Sequence, residues 1–143
     1  MNPSLETALQ ALPHGREFRF IDRLIALVPG RSGTGEYVVR GDETFLRGHF
    51  PGAPLFPGVL LVEAGAQLAG AVAQSDTSVP AIQGLKLAGI KSARFYSSAV
   101  PGALIRVEAL VTARLGGVVQ AETSAYVGEA QLMSAVVTLA GAA

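Results

Sequence analysis

The sequence contains no cysteine and only two histidines, His14 and His49. Without cysteine there is no thiol nucleophile, disulfide frame or thiolate metal site. Two imidazoles are too few for a metal cage, so no metal is expected. Charge is scarce too: 15% of residues are charged, and 11 Lys+Arg balance 11 Asp+Glu. Because the cations are scattered rather than clustered, nothing supports nucleic-acid binding. The amino terminus lacks a basic region followed by an apolar core, so no secretory signal is expected. The most apolar run, residues 58–74, is interrupted by Glu63 and Gln67 and is short for a membrane span. These absences point to a cytoplasmic protein with neither membrane nor nucleic acid as partner.

A chain of 143 residues has the size of one domain, taken here as 1–143, with a sizeable core. Half of its residues are apolar. So little charge is low for the surface of a small monomer, and it implies that another subunit covers part of that surface.

Turn chemistry and periodicity divide the chain. Ser4 is suited to cap a short helix running to about Leu12 and ended by Pro13. Residues 17–28 read as a strand, Pro29-Gly30 as a turn and residues 36–40 as the antiparallel return. The second half is strand-like over 81–90, 103–115, 118–127 and 130–140. Gly116-Gly117 and Gly128-Glu129 stand where hairpin turns belong. The alanine-rich end reads as a frayed terminus. One principal helix followed by antiparallel strands predicts an α+β fold.

The segment with most chemical content lies between the halves. Gly48, Pro51, Gly52, Pro54, Pro57 and Gly58 make residues 48–58 a series of bends that can continue neither a helix nor a central strand, so His49 is presented on a stiff loop. The run GVLLVEAGAQLAGAVAQ, residues 58–74, is apolar nearly all round and predicts a largely buried helix, with Pro57 at its first position. Its one charge is Glu63. A desolvated carboxyl has a raised pKa unless it is paired, and can then donate a proton near neutral pH, where an imidazole can accept one. Each residue alone has an ordinary explanation, as a turn residue and as a satisfied core contact. Their occurrence in one motif singles them out as base and acid.

The run GHFPGAPLFPGVLLVEAGAQ, residues 48–67, closely resembles the active-site segment of the (3R)-hydroxyacyl-acyl carrier protein dehydratases of type II fatty acid synthesis, the FabZ type. The likeness extends upstream through Leu12-Pro13-His14, Phe18 and Ile21-Asp22-Arg23. Downstream it continues through residues 89–95 and Val100-Pro101-Gly102, so that it covers nearly the whole chain. The resemblance implies a hot dog fold, a curved antiparallel sheet wrapped around a long central helix. It also implies a homodimer, or a trimer of dimers, whose sites each take the histidine from one subunit and the acid from the other.

By the same resemblance His49 is the catalytic histidine and Glu63 the catalytic acid. Gly58 and Val59 supply a helix-start N–H to the thioester oxygen, and Gln67 holds Glu63 or a water. A sister dehydratase that also isomerises the double bond carries Asp at the acid position, so Glu63 favours simple dehydration. No cofactor is implied, because the substrate arrives on the phosphopantetheine of an acyl carrier protein. Lys91 and Arg94 are candidates to steer that acidic partner. The chain departs from the family pattern at Gly15, Glu17 and Phe56; a Phe in place of a common Met is expected to alter which acyl chains fit. Rival functions are a polyketide or aryl-polyene dehydratase, a coenzyme A thioester hydratase or thioesterase, and, in a different class, a non-catalytic carrier-binding subunit. Retention of both His49 and Glu63 argues against the last.

Overall fold

The computed structural model describes residues 5–142. A short helix α1 (Leu5–Gln10) and a 3-10 turn (Arg16–Phe18) precede strands β1 (Arg23–Val28) and β2 (Ser32–Val38). A second 3-10 turn (Thr44–Gly48) leads into the loop before helix α2 (Gly58–Gln74). Strands β3 (Gln83–Phe95), β4 (Leu104–Leu115), β5 (Val118–Val127) and β6 (Ala130–Ala142) follow. All six strands form one antiparallel sheet in the order β1-β2-β4-β5-β6-β3.

That order explains the length of α2. The chain leaves the sheet after β2, near one edge, and returns as β3 at the other. The crossing spans four strand spacings, or about 19 Å. Seventeen helical residues extend about 25 Å, enough to cross the sheet. The helix lies on β4, β5, β6 and β2 and buries residues 61, 62 and 64–73. Strand alternation supplies the opposing surface: Ile105, Val107 and Ala109, then Val119, Ala121 and Ala125, then Met133, Ala135, Val137 and Leu139 are buried. Close approach needs bare backbone at one point: a Cβ on Gly65 would come within 2.7 Å of Thr123 Cβ.

The hairpins of the second half fall where turn chemistry puts them, with Gly116 and Gly128 at φ 59° and 58°. Several details differ from expectation, among them β3, expected over 81–90, which runs over Gln83–Phe95. The strand expected over 17–28 begins only at Arg23. Phe20 and Ile21 are consecutive and both buried, which breaks strand alternation, and the backbone of Phe18 and Phe20 bonds to the Gln67 side chain of α2 instead of a strand. The return strand starts earlier, at Ser32, and stops at Val38. Pro57 flanks α2 rather than opening it, with φ −60° and ψ 130°, and Gly58 is the first helical residue. The alanine-rich end is no frayed terminus through Ala142: Gly141 N–H donates to the Gly117 carbonyl at 2.9 Å, and Ala142 pairs with Gln83. The expected cap Ser4 lies outside the described residues; α1 itself ends at Gln10.

Candidate active site

His49 closes the second 3-10 turn, its N–H donating to the Leu46 carbonyl at 3.2 Å. The loop then folds back on it. The Leu55 N–H donates to the His49 carbonyl at 2.7 Å, while the ring Nδ1 lies 3.0 Å from the Leu55 carbonyl oxygen. A carbonyl can only accept, so Nδ1 carries a proton, and in the neutral imidazole Nε2 keeps the lone pair. Residues of the sequence-local loop thus select the basic tautomer. Phe50 stacks on the imidazole with ring centroids 4.3 Å apart. The loop is tied down beyond Leu55 by a bond from the Phe56 N–H to the Ala99 carbonyl at 2.9 Å.

Its near end is pinned by Glu43. That carboxylate accepts from the Tyr37 hydroxyl at 2.7 Å and from the N–H groups of Arg40 and Gly41 at 3.0 and 2.7 Å. Burial works to raise the pKa of Glu43, but these donors outweigh it and hold the carboxyl below its ordinary range. Burial first, and then the hydrogen bond to Glu43, pushes the Tyr37 phenol well above its ordinary value.

Glu63 sits one turn before Gln67 on α2. Its Oε2 accepts from Gln67 Nε2 at 3.0 Å and lies 3.3 Å from His14 Nε2. Gln67 is buried, and its amide serves as a strand would for the segment ahead of β1: Oε1 accepts from the Phe20 N–H at 2.9 Å and Nε2 donates to the Phe18 carbonyl at 2.8 Å. Glu63, Gln67 and His14 share the wall of a 460 Å³ cavity with Leu12, Pro13 and Lys86. His49 does not line it. The hollow beside the histidine loop is a separate one of 500 Å³, formed by Phe50, Ala53, Pro54, Leu55, Val100 and Pro101. Within a single chain, His49 lines neither of these spaces.

The start of α2 carries no side-chain cap, and the N–H groups of Gly58 and Val59 lie where a helix has no carbonyl of its own to bond. Val59 is exposed, and the Phe95 ring lies against Gly58 so closely that a Cβ there would come 2.9 Å from Phe95 Cδ1. These donors and the helix dipole favour developing negative charge.

Phe56, Lys91 and Arg94 lie outside the two cavities beside Glu63 and the His49 loop. Phe56 is buried among Phe20, Tyr37 and Phe45, with ring centroids 5.5 to 6.1 Å away, and lines neither cavity beside the candidate base or acid. Lys91 and Arg94 are exposed on β3. Arg94 lines a 650 Å³ concavity with Glu108, Glu122 and Ser124, on the sheet face turned away from α2, whereas Lys86 is the cation on the Glu63 cavity. At the departures at residues 15 and 17, the exposed Glu17 carboxylate lies against Gly15, where a Cβ would meet Glu17 Oε1 at 2.7 Å. The residue that sequence reasoning missed at the acid is His14, whose one signal was its place in the Leu12-Pro13-His14 run.

A long helix wrapped by a curved antiparallel sheet is a hot dog fold. The solved dehydratase heterocomplex ApeI:P of Xenorhabdus doucetiae matches at a TM-score of 0.79 over 99% of this chain and 93% of its own, at 13% identity. A mutant of the thioesterase PA1618 of Pseudomonas aeruginosa matches at 0.72 over 99% and 96%, at 16% identity. At such identities the likeness speaks for the fold alone.

Sequence narrows the class. A model of the FabA-like domain matches residues 12–136, and the chain belongs to that family. It is 42% identical over 134 residues to a 3-hydroxyacyl-[acyl-carrier-protein] dehydratase FabZ of Desulforamulus reducens, covering 89% of this chain and 92% of the relative. The FabZ of Alkaliphilus metalliredigens is 37% identical over 129 residues, at 90% and 87% coverage.

Proposed function

We propose that this chain is a 3-hydroxyacyl-[acyl-carrier-protein] dehydratase of fatty acid synthesis, removing water from a (3R)-hydroxyacyl thioester to give the trans-2-enoyl product. The observation that carries the mechanism is the Nδ1 contact of His49 with the Leu55 carbonyl, which leaves Nε2 free to take a proton. His49 Nε2 removes the α-proton. The N–H of Gly58 or Val59 steadies the charge that grows on the thioester oxygen, a type of interaction worth about 3 to 4 kcal/mol per donor. The Glu63 carboxyl protonates the departing hydroxyl, so that the β C–O bond breaks to release water while the α,β double bond forms. Base, acid and N–H donor supply every proton and charge these steps need, so the reading calls for no metal or redox cofactor.

In this reading residues 1–143 form a single hot dog domain and the working unit is a homodimer, or a trimer of such dimers, in which His49 of one subunit meets Glu63 of the other. Two features support it. His49 does not line the cavity of Glu63 in its own chain. The edge strand β3 leaves Ile90, Phe95 and the neighbouring Tyr96 more than half exposed, an apolar edge suited to a second subunit. The substrate is delivered by acyl carrier protein, an acidic partner for which Lys86 joins Lys91 and Arg94 as a candidate contact. The proposed location is the cytoplasm; among the described residues no helix is long and apolar enough to cross a membrane.

The test compares a 3-hydroxyacyl-acyl carrier protein with its coenzyme A analogue, with mass detection of enoyl product and free acid. Loss of water without hydrolysis, faster on the carrier-bound substrate, is expected. Free acid as the main product would make the chain a thioesterase, and absence of turnover on either thioester would leave the catalytic reading without support.

A further inference from the structure

His14 stands beside the proposed acid, and its chemical form follows from its surroundings. Its Nε2 lies 3.3 Å from Glu63 Oε2, while its Nδ1 is buried with no hydrogen-bond partner. A proton on Nδ1, in either the other neutral tautomer or the imidazolium, would leave a buried N–H donor unpaired, which native structures rarely contain. The Nε2–H tautomer avoids this and places its donor nitrogen 3.3 Å from the carboxylate.

The ring is also held in place. Arg19 Nη2 donates to the His14 and Leu12 carbonyls at 3.2 and 3.3 Å, and Phe18 stacks beside the imidazole at 6.4 Å between centroids. The same short segment, through Phe18 and Phe20, holds Gln67. The Gln67 amide thus donates to Oε2 of Glu63 and His14 Nε2 lies 3.3 Å from the same oxygen, while Oε1 has no hydrogen-bond partner among the described residues.

We propose that His14 is a positioning residue for Glu63. With Gln67 it occupies Oε2 and thereby directs Oε1, the oxygen that carries the transferable proton, toward the substrate hydroxyl. The proposal rests on the reading of Glu63 as the acid. It adds that the acid is aimed from outside its own helix, by a segment about fifty residues earlier in the chain. A proton placed at random on either oxygen would be productive in only part of the encounters; blocking Oε2 with two donors removes the unproductive form.

Two measurements test this. In steady-state turnover of a 3-hydroxyacyl-acyl carrier protein, His14→Ala and His14→Asn, whose amide is too short to reach Oε2, are expected to lower kcat about tenfold or more with KM within about twofold. His14→Gln, which carries an N–H at the reach of Nε2, is expected to restore most of that loss. Equal losses in Gln and Asn variants, or kcat within about twofold of wild type in His14→Asn, would overturn the proposal.

The second readout needs no activity. The chain has two histidines, so isotopic labelling of imidazole nitrogens in a tag-free His49→Ala protein reports His14 alone. The Nε2–H tautomer is expected, with a resonance that shifts on Glu63→Ala. An Nδ1–H tautomer, or no response to Glu63→Ala, would refute the contact. A fully active Glu63→Gln variant alongside the expected nitrogen signature would instead defeat the acid reading and leave the contact standing.

Discussion

The loop that holds His49 and the helix that holds Glu63 are anchored in opposite ways. His49 is fixed by its near neighbours in the chain: Leu46, Phe50 and Leu55 satisfy its backbone, stack on its ring and set its tautomer. Glu63 has one neighbour on its own helix, Gln67, and that neighbour is in turn held by Phe18 and Phe20, while His14 approaches from the same distant segment. A side chain set by local turn chemistry can be replaced with little disturbance to the rest of the fold. A carboxyl held by a buried amide that also pairs backbone groups cannot be separated from stability.

The largest expected effect tests both arms at once. His49→Ala and Glu63→Gln should each lower turnover by about two orders of magnitude or more, the scale of general acid–base catalysis. His49→Ala should leave the unfolding temperature nearly unchanged. Coexpression of the two inactive chains should then restore about one quarter of wild-type activity, because half of randomly paired dimers are mixed and each mixed dimer has one site with both residues intact. Continued inactivity, with mixed dimers demonstrated by native mass spectrometry, would place both residues in one subunit's site.

The contrast in anchoring sharpens at Gln67. Gln67→Leu leaves the Phe20 N–H and Phe18 carbonyl unpaired beside the core and removes a donor to Glu63. It should therefore lose turnover and also about 1 to 3 kcal/mol of stability in denaturant unfolding. Lost activity at wild-type stability would mean that residues 18–20 find other partners, and the two regions would differ less than their hydrogen bonds imply.

A smaller effect concerns the near end of the His49 loop. Because the folded pKa of Glu43 is depressed, its contribution is fully present above the unfolded carboxylate pKa of about 4.3 and is lost as pH falls through the folded value. Glu43→Gln should be less stable than wild type at neutral pH by about 1 kcal/mol. The gap should close on acidification below that range, as followed by urea unfolding at a series of pH values. A gap independent of pH would show that the charge on Glu43 contributes nothing. Smallest of all, Phe56→Met exchanges one buried apolar side chain for another of similar size and should cost less than about 1.5 kcal/mol. A changed acyl-chain preference in this variant would return Phe56 to the substrate wall.

Much of this was legible in the sequence. The Gly/Pro run around His49, the apolar run broken by Glu63, and the glycines at 116 and 128 all act over a few residues, where turn conformations and periodicity decide the outcome. The split of the strand expected over 17–28 was not legible, because it depends on Gln67 offering Phe18 and Phe20 an alternative to strand pairing. Nor was Phe56, whose apolar character suits a substrate wall as well as a core; only the rings of Phe20, Tyr37 and Phe45 around it decide for the core.

By itself, then, the sequence determined the candidate base and acid, the helix that carries Glu63 and the hairpins that build the sheet, because each depends on steric and hydrogen-bonding preferences of adjacent residues. Tertiary structure decided that β3 lies at the far edge beside β6, that Lys86 rather than Lys91 reaches the acid's cavity, and that His14 stands at Glu63. Those outcomes depend on which groups remain unpaired once the helix is laid across the sheet, and contacts between residues nearly fifty positions apart leave no periodic trace along the chain.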